Sequence, residues 1–179
     1  MDNINKKPVV VAVSGGFDPI HIGHIRMFER AKAMGDKLVV ILNNDTWLRA
    51  KKQHVFMSEG ERKEVIEAMR AVDAVVVTGH GENPHQAGTE ESAKFMSVSA
   101  ELVAIKPDIF ANGGDRNEKN AADPTSSLYH DINTCKANGI KMIFNIGDGG
   151  KIQSSSWLLA DYLKRVQEEK LPGENVSEI

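Results

Sequence analysis

Residues 15–24 read Gly15-Gly16-Phe17-Asp18-Pro19-Ile20-His21-Ile22-Gly23-His24, and they follow the apolar run Val9-Val10-Val11-Ala12-Val13. A β-branched run opened by Pro8 and stopped by two glycines predicts a strand. Glycines at its end allow a tight turn and a close approach of backbone to a ligand. Ile22, Ile25, Met27, Phe28, Ala31 and Met34 then recur at three- and four-residue spacing up to Gly35, which predicts a helix over 23–34. The first turn of such a helix offers unpaired N–H groups and a positive dipole end, which suit an anion such as phosphate. His21 and His24 stand three residues apart where the helix begins, so both can face one bound group and stabilise charge that grows on it. The plainer alternative is a pair of helix-start histidines that cap backbone groups or face solvent. Zinc would need further ligands from His54, His80, His85 and His130, which are scattered along the chain, so zinc is not expected.

Working outward, the pattern repeats. Short apolar strands are predicted over 38–42, 75–77, 109–111 and 140–146, and helices over 58–71, 91–105, 128–137 and 155–169. Ser58 with Glu61 is a capping-box pair at the start of the first of these helices. The stretch 79–89 reads as an exposed loop, and 117–127 as polar and irregular. Arg49, Lys51 and Lys52 form a basic stretch beyond Asn43-Asn44-Asp45. Five strands alternating with helices, several of them continuously apolar, predict an α/β fold. The expected form is doubly wound and Rossmann-like, with a parallel five-stranded sheet and helices on both faces. Residues 1–179 read as a single domain with a polar tail from about 170. The unusual residues all follow strands, on the edge where open α/β sheets bind ligands.

The chain has 179 residues, with 22 basic and 25 acidic side chains and a net charge of −3. That balance argues against a nucleic-acid coat or an anionic lipid surface as partner. One cysteine, Cys135, excludes an internal disulfide and a thiolate zinc site, and a cytoplasmic setting is expected. Cys135 falls within a predicted helix, where a small core residue is expected rather than a nucleophile. No apolar run approaches the roughly 20 residues of a membrane span.

Residues 15–24 match the G-x-F-D-x-x-H-x-G-H signature, and the chain thereby resembles the HxGH nucleotidyltransferases (cytidylyltransferase-like). The resemblance continues through Gly35-Asp36, Asn44-Asp45, Arg62, Val72-Asp73, Lys106-Pro107-Asp108, Gly113-Gly114-Asp115 and Ser154-Ser155-Ser156. It is most similar to the branch of heptose-1-phosphate adenylyltransferase and glycerol-3-phosphate cytidylyltransferase. It implies transfer of NMP from an NTP, ATP or CTP bound with Mg²⁺, to a small phosphorylated acceptor, with release of pyrophosphate. A sugar phosphate is the expected acceptor and an alcohol phosphate such as glycerol 3-phosphate the alternative. A nucleotide-binding regulator without turnover is the non-enzyme alternative. By the same carry-over, His21, His24 and the loop lysine Lys52, with Lys51 as its rival, are catalytic. Gly15, Gly16, Phe17, Asp18, Gly23, Arg62, Gly114, Asp115, Ser154, Ser155 and Ser156 are then nucleotide-binding. The bland readings are a surface Arg62 paired with Glu59 or Glu61, a turn aspartate at Asp18 and a helix cap in the serine run. Trp157, Leu158 and Leu159 follow the serines where many adenylyltransferases carry an arginine, which departs from the pantetheine-phosphate and nicotinamide branches. A homodimer is expected by analogy.

Overall fold

The structure, a computed structural model, describes residues 7–113, 122–146 and 154–169. Five parallel strands form one sheet in the order β3-β2-β1-β4-β5. They are β1 (Val10–Gly15), β2 (Lys37–Leu42), β3 (Ala74–Val77), β4 (Ile109–Ala111) and β5 (Lys141–Ile143). The helices are α1 (Ile22–Lys32), α2 (Asp45–Lys52), α3 (Glu59–Glu67), α4 (Glu90–Phe95), α5 (Ser99–Ile105), α6 (Ser127–Asn138) and α7 (Ser155–Glu169). The sheet grows outward from β1 in both directions, so strand order reverses between β1 and β4. The strand C-termini splay apart there, which is where open sheets of this kind hold ligands.

Period-two alternation sorts the strand residues onto two cores. Val11, Val13, Leu38, Val40 and Leu42 point to one face, where Phe28 and Ala31 of α1 and Ile66 of α3 cover them. Ala12, Ile41 and Phe110 point to the other, against Leu102 of α5 and Cys135 of α6. Full burial of a side chain such as Phe28 stabilises the fold by about 2–3 kcal/mol. Cys135 is 1% exposed, and burial and then the Asp131 carboxylate push its thiol up to about 12, as expected of an inert core residue.

Three aspartates secure the opposite, N-terminal edge of the sheet. Asp36 accepts from Val9 N–H, Asp73 from Leu38 N–H and Asp108 from Val10 N–H, at 2.6–2.8 Å. Each sits just before a strand and takes an amide within one residue of the start of a neighbouring one. These motif aspartates therefore hold the frame, away from the ligand edge.

Three elements differ from the sequence-based expectation. The basic stretch of Arg49, Lys51 and Lys52, expected to be irregular beyond β2, belongs to helix α2, with the Asn44 side chain accepting from Trp47 N–H as its N-cap. The helix expected over 91–105 is two helices, because the Asp131 carboxylate takes Val98 N–H and Trp47 Nε1 donates to Met96 O. The last strand ends at Ile143, and Asn145 adopts φ +57 just beyond it. Among the described residues no helix is long and apolar enough to cross a membrane.

Candidate active site

The N-terminus of α1 is capped by its own histidines. His21, in extended conformation, accepts Gly23 N–H on Nδ1 at 3.1 Å, and His24 Nδ1 accepts His21 N–H at 3.3 Å. A nitrogen that accepts carries no proton, so in the neutral rings the proton sits on Nε2 of both. The rings stack with centroids 3.6 Å apart. His24 is pulled down to about 3, first by burial and then by the positive potentials of His21 and Lys52. It is therefore a neutral Nε2–H donor throughout the ordinary pH range. The capping read as the plainer alternative from the sequence is made, and it uses only Nδ1 of each ring.

Phe17 supports this pair from below. It is 5% exposed at φ +50, a left-handed backbone that a bulky residue adopts only when its surroundings hold it. Its ring meets His24 and Phe28 edge-on, each at 5.0 Å. The two preceding glycines make room for the chain itself. A Cβ on Gly15 would stand 2.8 Å from the Phe17 ring, and one on Gly16 2.6 Å from Leu48 of α2.

Asp18 is 2% exposed, and its two carboxylate oxygens accept the N–H groups of Phe56 at 2.8 Å and Met57 at 2.7 Å. It ties the segment after α2 to the histidine loop. The Asp18 carbonyl in turn accepts Lys52 Nζ at 3.0 Å, which brings the end of α2 onto the same loop. Of the two rival lysines, Lys52 is the one drawn in, and Lys51 is exposed.

Arg62 has no exposed surface. It donates from Nε to Met57 O, from Nη1 to Gly16 O and Asn43 O, and from Nη2 to Asp45 Oδ1 at 2.6 Å. The expectation of nucleotide contact gives way to a positioning role, because the guanidinium is spent on the walls of the cleft. A surface pairing with Glu59 or Glu61 is overturned as well, and Asp45 is the partner.

At the far side of the loop, Ser154 accepts Trp157 N–H at 3.2 Å and caps α7, while Ser155 Oγ donates to Pro19 O at 2.9 Å. Both serines are buried, and Ser156 is exposed. The N-terminus of α7 is thus latched to the histidine loop from 136 residues away in sequence. Gly23 enters the site through its amide on His21. Gly114 and Asp115 lie outside the described residues. Asn44 and Asp45, part of the resemblance but given no role from the sequence, respectively cap α2 and pair with Arg62.

Two stacked imidazoles, a lysine and a helix N-terminus surround the glycine turn of a doubly wound sheet. Residues 12–130 match the cytidylyltransferase-like family model, and the chain belongs to that family. It is therefore a nucleotidyltransferase. It is similar to the FAD synthase of Thermococcus kodakarensis, 34% identical over 60% of this chain and 68% of that one. The FAD synthase of Thermococcus sibiricus is 38% identical over 63% of this chain and 67% of its own. The bifunctional protein HldE of Koribacter versatilis is 35% identical over 59% of this chain but only 19% of that longer protein. The fold is similar to that of a lipopolysaccharide core biosynthesis protein from Thermoplasma volcanium, with TM-score 0.59 and 23% identity, over 79% of this chain and 99% of that one.

Proposed function

We propose that the chain transfers AMP from ATP to the phosphate of a small phosphorylated acceptor, a sugar phosphate, and releases pyrophosphate. The observation that carries this reading is the histidine pair, whose Nδ1 atoms accept backbone amides, so that each neutral ring carries its proton on Nε2, a donor suited to phosphoryl oxygens. An acceptor phosphate oxygen forms the new bond to the α-phosphorus as the bond from that phosphorus to the β-bridging oxygen breaks. The electron pair leaves on pyrophosphate. Such a step requires alignment and neutralisation of charge on oxygen rather than a covalent nucleophile. His21 and His24 donate to the non-bridging oxygens, Lys52 adds positive charge, and the N-terminus of α7 faces the β- and γ-phosphates. Asp18 and Arg62 hold these groups at their spacing.

Mg²⁺ enters with the nucleotide. An ion of this kind is held mainly by phosphate oxygens and water, with few protein ligands. The likeness to FAD synthases favours ATP over CTP, and it supports a second reading in which the acceptor is flavin mononucleotide. The test is pyrophosphate release from MgATP and from MgCTP with a panel of sugar phosphates, glycerol 3-phosphate and flavin mononucleotide. Turnover with ATP and a sugar phosphate is expected. Turnover only with flavin mononucleotide would move the acceptor, turnover only with CTP would move the base, and nucleotide binding without turnover would favour a regulator.

A further inference from the structure

Helix α7 differs from the other helices in what it buries. Among the described residues each of α1 to α6 buries at least one apolar side chain, from Phe28 on α1 to Cys135 on α6. Helix α7 buries none. Past Ser155 its residues up to 168 are exposed or half-buried, with Tyr162 62% and Leu163 58% exposed. Its apolar residues are patterned all the same. Leu158, Leu159, Tyr162, Leu163 and Val166 recur at three- and four-residue spacing, so they form one stripe along the helix. With 15 residues the helix is about 22 Å long, and a helix of that length is marginal in water until its apolar face is packed.

The body of the protein holds only the start of this stripe. Ser154 caps the helix, Ser155 Oγ donates to Pro19 O, and Leu158 and Leu159 in the next turn are half-buried. One turn further on, Tyr162 and Leu163 stand in solvent. The face that begins against the protein therefore continues off it.

The charges beside the stripe select what covers it. Asp161, Lys164, Arg165 and Glu168 are two of each sign, so the helix offers no attraction to an anionic bilayer or a polyanion. A second copy of the helix offers a matching stripe, and the same charges give its direction. Asp161 and Arg165 lie one turn apart on one flank of the stripe. Antiparallel pairing about a point near Leu163 sets Asp161 of each copy against Arg165 of the other and opposes the two helix dipoles, whereas parallel pairing sets like charges side by side. We propose that α7 pairs antiparallel with α7 of a second copy of this chain, covering Tyr162 and Leu163 across a two-fold axis. Two helices this short bury less than the roughly 1,000 Å² of a stable interface, so the dimer is weak and depends on concentration. Pairing stands apart from the proposed reaction, and its test needs no turnover.

The experiment is sedimentation velocity with light scattering on the full chain, over a range of concentrations from about 1 to about 500 µM, where weak interfaces associate. The wild type is expected to pass from monomer to dimer across this range. Leu163→Glu, at an exposed position outside the core, is expected to weaken association about tenfold or more, because pairing then buries an unpaired charge. Arg165→Asp is expected to weaken it about threefold or more, and Asp161→Arg/Arg165→Asp to recover it, since the opposed pairs are remade with their signs exchanged. Circular dichroism checks that each variant keeps its helix content, and if Leu163→Glu does not, the charge reversals carry the reading. A wild type that stays monomeric at every concentration overturns the proposal and leaves the stripe to residues 170–179 or to a different protein. A dimer that neither Leu163→Glu nor Arg165→Asp weakens overturns it too, because the copies then meet elsewhere. Loss in Arg165→Asp without recovery in the double reversal overturns the antiparallel arrangement.

Discussion

At His24 one ring accepts a backbone amide on Nδ1 and, in the proposed reaction, donates from Nε2, and a substitution can separate the two. The carbonyl of an asparagine reaches the place of Nδ1, so His24→Asn keeps an acceptor for His21 N–H while removing the Nε2 donor. The expected result is a loss of about 10²–10³ in kcat, the size seen when one preorganised donor to a charged transition state is removed. The melting temperature should stay within a few degrees, and His24→Ala, which also loses the cap, should melt lower. The protonation state is open to direct observation. With its ring held to about 3, His24 should show no imidazole titration in NMR between pH 5 and 8 in the ligand-free protein. The histidine pair was legible in sequence because it follows a strand and two glycines. Which nitrogen did what was not, since that depends on where the backbone amides of residues 21 and 23 point.

At the scale of elements, the cleft is assembled by side chains that never reach its surface. Arg62 joins the turn after β1, the end of β2 and the segment before α3 into one wall. Arg62→Met would leave three carbonyls without their donor and Asp45 without its countercharge. Because Asp45 retains 18% exposure, a loss near the lower end of the range for broken buried pairs, about 3 kcal/mol, is expected in urea unfolding. The helix pattern made α3 visible, but the arginine's partner stands 17 residues away, and two closer glutamates offered a simpler reading. Helix α2 was missed for a related reason. Its eight residues bury only Trp47 and Leu48, too few for a periodicity, although Asn44 as a cap was a usable signal. The break after Phe95 had no local signal at all. It is imposed by Asp131, 33 residues further on.

For the whole molecule, stability should fall on the acid side. His24 has its folded value depressed below its unfolded value near 6.5, so the unfolded chain binds more protons between about 6.5 and about 3. Stability is therefore full above that window and is lost as pH falls through it. Asp73, held below the usual carboxylate range first by the Lys32 hydrogen bond and then by Leu38 N–H, extends the loss to still lower pH. Urea midpoints from pH 7 to pH 4 should decline in the wild type and decline less in His24→Asn. Cys135 offers an independent probe of the same core. With the thiol buried and pushed up to about 12, labelling by a thiol reagent should proceed only at the rate of global opening. Labelling of the native protein within seconds would contradict that. The five-stranded α/β architecture was readable because each strand's alternation and each helix's spacing were local. The division into two cores follows from it, while the latch from Ser155 to Pro19 joins distant parts of the chain and left no trace beyond a serine run.

The central claim of the proposed reaction is that the histidine pair donates to phosphoryl groups from Nε2. It is tested most directly by pyrophosphate release from MgATP with the acceptor panel, measured side by side for the wild type and His24→Asn. The account predicts turnover in the wild type and a loss of about a hundredfold or more in a variant that still folds and melts like its parent. Equal turnover in the two proteins, or neither nucleotide binding nor turnover in the wild type, would contradict it.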